Sequence, residues 1–269
     1  MCRHLAYAGP ETSLRELLID PPYGLYRQAW APRMQRHGTV NADGFGIGWY
    51  AAGDPVPARY RRAVPIWGDS SLPDLARVTR SAAVLAAVRD ATAGTALGEA
   101  AAAPFASGPW LFSHNGLLAG WPATAAPLAE RGALLSPEAL LSLEALLSME
   151  AMSDSAFLWL LVLERLRAGM PADVALAATI DAVEAAGGSG RFNFLLTDGR
   201  SIAATAAGDT LWYRRAAGGV TAASEPCDDD PGWTEVPDRH VLVAAASRVT
   251  VRPFSSLSRD SLSEGISIR

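Results

Sequence analysis

Cys2 is the second residue of the chain. Removing Met1, which a small second residue permits, would leave a cysteine with its thiol and a free α-amino group on one carbon. Nucleophile and base would then share a residue. A free thiol has a pKa of about 8.5 and an α-amino group about 7.7–8.0, so near neutral pH part of the amine is unprotonated and can take the sulfur's proton. The plain alternative is a cysteine on a frayed terminus with no role. Three further places could serve such a nucleophile. Arg89 emerges from an apolar run, which is costly unless the guanidinium is paired or binds an anion. Asn115 and Gly116 can offer a side-chain amide and an unobstructed backbone N–H, the two donors of an oxyanion hole, or simply form an Asn-Gly turn. Asp154 stands where a helix could begin, either as its cap or as a carboxylate fixed at the edge of a cleft.

The composition narrows the chemistry. The 269 residues are 49% hydrophobic and 19% charged, enough to bury a large core. A net charge of −5 argues against a nucleic-acid partner or an anionic membrane surface. The chain contains no lysine, which excludes Schiff-base chemistry and a phosphate-loop lysine but leaves arginine for carboxylate recognition. With only Cys2 and Cys227, and no His/Cys cluster at metal-ligand spacing, neither a disulfide scaffold nor a metal site is expected. No basic region precedes an apolar stretch at the N-terminus, and the most apolar run, AFLWLLVL over 156–163, is too short to span a bilayer. A cytoplasmic protein without a cofactor is expected; oligomeric state is not legible.

The elements that must position these residues follow from pattern. Residues 5–9 read as a buried strand that would anchor Cys2. Ser13 with Glu16 forms a capping-box pattern for a short helix that Pro21 and Pro22 end. Residues 23–37 read as a loop. In NADGFGIGWY the glycines alternate with large apolar residues at strand period, so something approaches closely on one face. The spacing does not match a dinucleotide fingerprint. Residues 82–88 form an apolar strand ending at Arg89, and 110–112 a strand running into Ser113, His114, Asn115 and Gly116. A helical pattern covers 136–167, interrupted at 153–155, and a further helix covers 172–186, closed by Gly187 and Gly188. Short strands over 191–196, 201–205, 210–214, 219–223 and 239–244 are punctuated by Asp198-Gly199, Gly208-Asp209 and Gly218-Gly219, as in antiparallel hairpins. Residues 224–233 read as a polar acidic loop, and a disordered tail is expected over 253–269 after a single domain spanning 2–252.

In order along the chain, an N-terminal cysteine, the Arg-x-Ala-Thr element of Arg89 and Thr92, Ser-His-Asn-Gly and Ser-Asp-Ser resemble the glutaminase domain of class II glutamine amidotransferases, within the N-terminal-nucleophile hydrolases. MCRHLAY, HGTVNADGFGIGWY, AAVRDAT, SHNG, ASEPCDDDPGW and VPDRH further resemble the γ-glutamyl hydrolases of ergothioneine biosynthesis. The resemblance implies an α+β fold, a four-layer αββα sandwich of two antiparallel sheets flanked by helices. It implies that Cys2 attacks a γ-glutamyl carbonyl, that Asn115 and Gly116 hold the oxyanion, that Arg89 and Thr92 bind the substrate α-carboxylate, and that Asp154 receives the α-ammonium. The implied substrate is γ-glutamyl-hercynylcysteine S-oxide, cleaved through a thioester. Its trimethylammonium could meet aromatic faces, with Tyr23, Tyr26, Trp30, Trp67 and Trp121 as candidates. His4 and His114, beside these positions, read as structural because the amine already supplies a base. Alternatives are a general γ-glutamyl peptide or glutamine amidase, and a non-catalytic scaffold that binds a partner.

Overall fold

A computed structural model describes residues 2–91, 94–125, 149–216 and 218–257. An unbroken run of small apolar residues suits a strand covered on both faces, and β4 (Arg80–Val88) is such a strand, buried over its last six residues. It lies between β1 (Arg3–Ser13) and β2 (Phe45–Trp49) in a seven-stranded antiparallel sheet that also contains β3 (Ala58–Arg62), β9 (Trp212–Ala216), β10 (Gly219–Ala223) and β11 (Thr234–Glu235). The order is β11-β9-β10-β1-β4-β2-β3. A second sheet holds β5 (Phe105–Ser107), β6 (Trp110–Leu118), β7 (Gly190–Thr197), β8 (Ser201–Ala206), β12 (His240–Ala245) and β13 (Arg248–Pro253), in the order β13-β12-β8-β7-β6-β5.

Three apolar layers hold this together. Between the sheets the contacts come largely from small residues, with Ala6, Ala8, Ala204 and Ala222 beside Leu85, Leu111 and Leu242. Alternate strand positions point out of the sandwich. On the seven-stranded side they pack Leu5, Ile47 and Val84 against α1 (Leu14–Leu18), α2 (Leu25–Gln28) and α3 (Leu72–Val78). On the other side Phe112, Phe192 and Phe194 pack against α4 (Asp154–Arg167) and α5 (Ala172–Ala185). The layering is αββα, as expected.

The glycine alternation in β2 has a packing cause. A Cβ on Gly48 would lie 2.6 Å from Leu111 of the facing sheet, and one on Gly46 would lie 2.2 Å from the Ala103 carbonyl. The close approach is therefore by the protein itself. The capping box at α1 forms as expected, with the Glu16 N–H donating to Ser13 Oγ at 3.2 Å and the Ser13 N–H to Glu16 at 2.9 Å.

Several expectations need correction. Asp154 is the first residue of α4, and the cap is Ser153, whose hydroxyl accepts the Ala156 N–H. Gly208-Asp209 is no hairpin, because the chain there passes from β8 in one sheet to β9 in the other. Asn193 holds this crossing, its Oδ1 accepting the N–H groups of Ala207 and Asp209. The loop expected over 23–37 contains α2. The disordered tail fails for its first five residues, since Pro253 ends β13 and a helical turn over 254–257 buries Phe254 and Leu257 in the core. The helical pattern expected from 136 begins outside the described residues. No helix among the described residues is long and apolar enough to cross a membrane.

Candidate active site

Four strand ends converge at one end of the sandwich. Arg3 pairs with Val88 across β1 and β4, and Val88 pairs with Phe45 of β2. The half-buried Cys2 therefore sits beside the residues that leave β4, with its sulfur 3.9 Å from the Asp90 carbonyl. Burial pushes the thiol's pKa up; the Arg89 charge lowers it, and Asp154 raises it. At neutral pH the group is a thiol, and attack requires a base to take its proton.

Arg89 is buried, and its guanidinium donates to Thr95 Oγ1 and the Ala96 carbonyl, both at 2.9 Å. No carboxylate pairs with it among the described residues. Asp154 is its mirror image. It too is buried, each carboxylate oxygen accepts one backbone N–H, from Leu118 at 3.0 Å and Ser155 at 2.8 Å, and no cation pairs with it among the described residues. One bare cation and one bare anion thus lie within electrostatic reach of the same sulfur. Thr92, the remaining expected head-group ligand, lies outside the described residues.

Asn115 and Gly116 come from β6 in the opposite sheet. Asn115 is fully buried and its Nδ2 donates to Ser224 Oγ at 3.4 Å, leaving the second amide hydrogen available. Gly116 tolerates no side chain, since a Cβ would fall 2.0 Å from the Arg191 carbonyl and 2.6 Å from His114 Nε2. The same Ser224 Oγ accepts the His4 N–H at 3.1 Å, and the Ser224 N–H returns to the His4 carbonyl at 3.0 Å. This serine therefore joins the strand that carries Cys2 to the amide of Asn115. Its neighbour Glu225, also fully buried, accepts the N–H groups of Arg33 and Met34 and faces the Arg3 guanidinium at 3.9 Å.

Reading 224–233 as a polar loop missed this junction. Its signal was a Ser-Glu pair placed directly after an alternating strand and ahead of a proline, where strand ends bury their last polar residues.

Both histidines are engaged. His4 Nδ1 lies 3.1 Å from Ser113 Oγ, and burial holds its pKa well below the usual imidazole range. His114 Nε2 donates to the Arg191 carbonyl at 2.8 Å, which leaves Nδ1 to accept from Ser155 Oγ at 3.0 Å; burial lowers its pKa as well. The cavity enclosed by Cys2, Arg89, Phe105, His114 and Ser155 has a volume of about 20 Å³, room for a single water. A glutamyl group needs more, and two further lining residues, Ala101 and Ala103, belong to the β4–β5 connection. Among the described residues no three His, Cys, Asp or Glu side chains cluster as metal ligands would.

The five aromatic candidates scatter. Tyr23 lies under the Arg33 guanidinium at 3.5 Å, Trp121 packs on Phe157 in the core, and Tyr26, Trp30 and Trp67 stack edge to face.

Residues 26–231 match the family described as class-II glutamine amidotransferases. The chain is 42% identical over 254 residues, 94% of its own length and 100% of the relative's, to a protein of Mycolicibacterium smegmatis named gamma-glutamyl-hercynylcysteine sulfoxide hydrolase. It is 40% identical over 251 residues, 93% of this chain and 96% of the relative, to a protein of the same name from Mycobacterium tuberculosis. Among solved structures, a glutamine aminotransferase class-II domain protein from Silicibacter pomeroyi superposes with a TM-score of 0.65 at 25% identity, covering 94% of this chain and 99% of that one. The glutamine phosphoribosylpyrophosphate amidotransferase of B. subtilis shares the fold, with a TM-score of 0.61 at 17% identity over 94% of this chain and 49% of that one.

Proposed function

Because this chain belongs to the class II glutamine amidotransferase family, we propose that it is the amidohydrolase that cleaves the γ-glutamyl amide of γ-glutamyl-hercynylcysteine S-oxide, releasing glutamate and hercynylcysteine S-oxide. The observation that supports the reading is the pair of buried charges beside the thiol, Arg89 and Asp154, neither of which has an ion-pair partner among the described residues. A free glutamyl head group presents an α-carboxylate and an α-ammonium, so a fixed cation and a fixed anion satisfy both ends and set its orientation. The names of the relatives at about 40% identity supply the leaving group.

The chemistry follows from the positions. Once Met1 is removed, the α-amine of Cys2 takes the thiol proton as sulfur attacks the γ-carbonyl carbon. The oxyanion that forms is held by the free amide hydrogen of Asn115 and the N–H of Gly116. Collapse breaks the C–N bond, the protonated terminal amine gives its proton to the departing nitrogen, and a γ-glutamyl thioester remains. Water, deprotonated by the same amine, then hydrolyses the thioester to glutamate and frees the thiol. Burial that keeps Cys2 protonated makes this internal base necessary. A nucleophilic thiol persists in a reducing compartment, which supports a cytoplasmic location.

The test compares kcat/KM for the sulfoxide substrate with that for glutamine, on protein whose Met1 status is fixed by intact mass. The expected result is a strong preference for the sulfoxide, confined to protein that begins at Cys2. Equal values on the two substrates would leave a general γ-glutamyl amidase.

A further inference from the structure

Both oxyanion donors rest on one short stretch of chain, residues 207–210, where the polypeptide leaves β8 in one sheet for β9 in the other. Asp209, its side chain 2% exposed, accepts from Arg191 Nε at 3.0 Å. The Arg191 carbonyl takes the His114 Nε2 hydrogen bond at 2.8 Å and lies against Gly116, where a Cβ would stand 2.0 Å from it. Asp209 therefore fixes, through Arg191, the strand segment against which Gly116 is seated. Thr210 donates to the Ser224 carbonyl at 2.7 Å, and Ser224 Oγ accepts from Asn115 Nδ2 at 3.4 Å. The neighbouring residue thus supports the other donor.

The stretch is itself held in shape. Asn193, fully buried, uses its whole amide on it: Oδ1 accepts the N–H groups of Ala207 and Asp209 at 3.0 and 3.1 Å, and Nδ2 donates to the carbonyls of Asp209 and Thr210 at 2.8 and 3.3 Å. Asn193 also pairs with Asn115 across β6 and β7. Gly208, at φ 96°, makes room for the Arg191 stem, since a Cβ there would lie 2.9 Å from Arg191 Cγ. A buried carboxylate is costly unless it is paired and hydrogen-bonded, and neither Asp209 nor Thr210 lines the Cys2 cavity. Their placement calls for a role other than contact with substrate.

We propose that Asp209 and Thr210 are positioning residues of the oxyanion hole, each aiming one donor: Asp209 the Gly116 N–H through Arg191, and Thr210 the Asn115 amide through Ser224. The inference rests on the γ-glutamyl chemistry assigned above and deepens it. An oxyanion donor works at about 2.7–3.1 Å from the developing charge, so a support that slackens by a fraction of an ångström is felt in the transition state more than in substrate binding.

The experiment measures kcat and KM, on glutamine and on the sulfoxide, for Asp209→Asn and Thr210→Val, each alone and on an Asn115→Ala background. Asp209→Asn should lower kcat about tenfold and Thr210→Val about fivefold, with KM changed by less than about twofold. With Asn115→Ala in place, Thr210→Val should have no further effect, because the donor it aims is gone, whereas Asp209→Asn should still lower kcat about tenfold through Gly116. A general loosening of the fold would act by the same factor on both backgrounds. Equal Thr210→Val losses on the two backgrounds, or kcat within about twofold of wild type for both single variants, would overturn the positioning roles while leaving the amidohydrolase assignment standing. Thr210→Val is isosteric at a half-buried site, so the test stands even where Asp209→Asn fails to fold. Wild-type protein that begins at Cys2 and releases no glutamate from either substrate would remove the assignment, and the positioning roles with it.

Discussion

The two ends of the sheet sandwich differ in a sense opposite to their volumes. At the end remote from Cys2 lies a hollow of about 680 Å³, lined by Glu11, Tyr50, Arg80, Trp110, Asp198 and Arg200 among others; beside the thiol there is space for about 20 Å³. Yet no residue lining the large hollow has a buried side-chain N or O atom without a hydrogen-bond partner. Arg80 pairs with Glu11 at 3.5 Å, the Tyr50 hydroxyl lies 2.6 Å from the Pro109 carbonyl, burial pushes that phenol's pKa up, and Asp198 accepts the N–H groups of its own turn. At the catalytic end, Arg89 and Asp154 are buried with no opposite charge paired to either among the described residues, beside an amide with a hydrogen to spare. A site is marked by groups that the protein has desolvated and left incomplete, which is costly unless something else completes them.

Substitutions at the two ends should separate on that criterion. Cys2→Ala should reduce glutamate release to the assay background, and a chain that retains Met1 should match it, because its base would be an amide nitrogen; glutamate release with either would break the contrast at its centre. Asn115→Ala should lower kcat about 100- to 1,000-fold with a smaller change in KM, as loss of one oxyanion donor does. Arg89→Ala and Asp154→Asn should each raise KM for γ-glutamyl substrates about 10- to 100-fold, the range of a hydrogen bond to a charged group; unchanged steady-state kinetics in both would show that the head group binds elsewhere. Ser224→Ala should lower kcat about tenfold at constant KM, since a loosened Asn115 amide matters most when the oxyanion forms, and Ser224→Thr should restore part of it. At the other end, Arg80→Ala should leave kcat/KM within twofold. A larger loss there would mean that the big hollow takes part after all.

What the sequence makes legible follows the same division. Cys2, Arg89 and Asp154 are readable because each is an unusual residue at an element boundary, Asn115 and Gly116 because a polar Asn-Gly pair follows an apolar run within one strand, and ordered motifs raise their joint meaning. The strands with clean apolar alternation are readable for the usual reason of period. β3 (ARYRR) is not, because a charged edge strand looks like surface; its Arg59 and Arg61 both reach Glu150, at 2.7 and 2.8 Å. Ser224 and Glu225 stayed hidden for a different reason. Their importance comes from partners at residues 3, 4, 33, 34 and 115, and no local pattern encodes contacts that distant.

β1 pairs along one side with β10, Leu5 lying against Ala223. Translation at roughly 5–20 residues per second therefore leaves the first strand without that neighbour for on the order of 10–40 s. Afterwards the strand that follows Cys2 is clamped between β4 and β10, in the interior of a seven-stranded sheet.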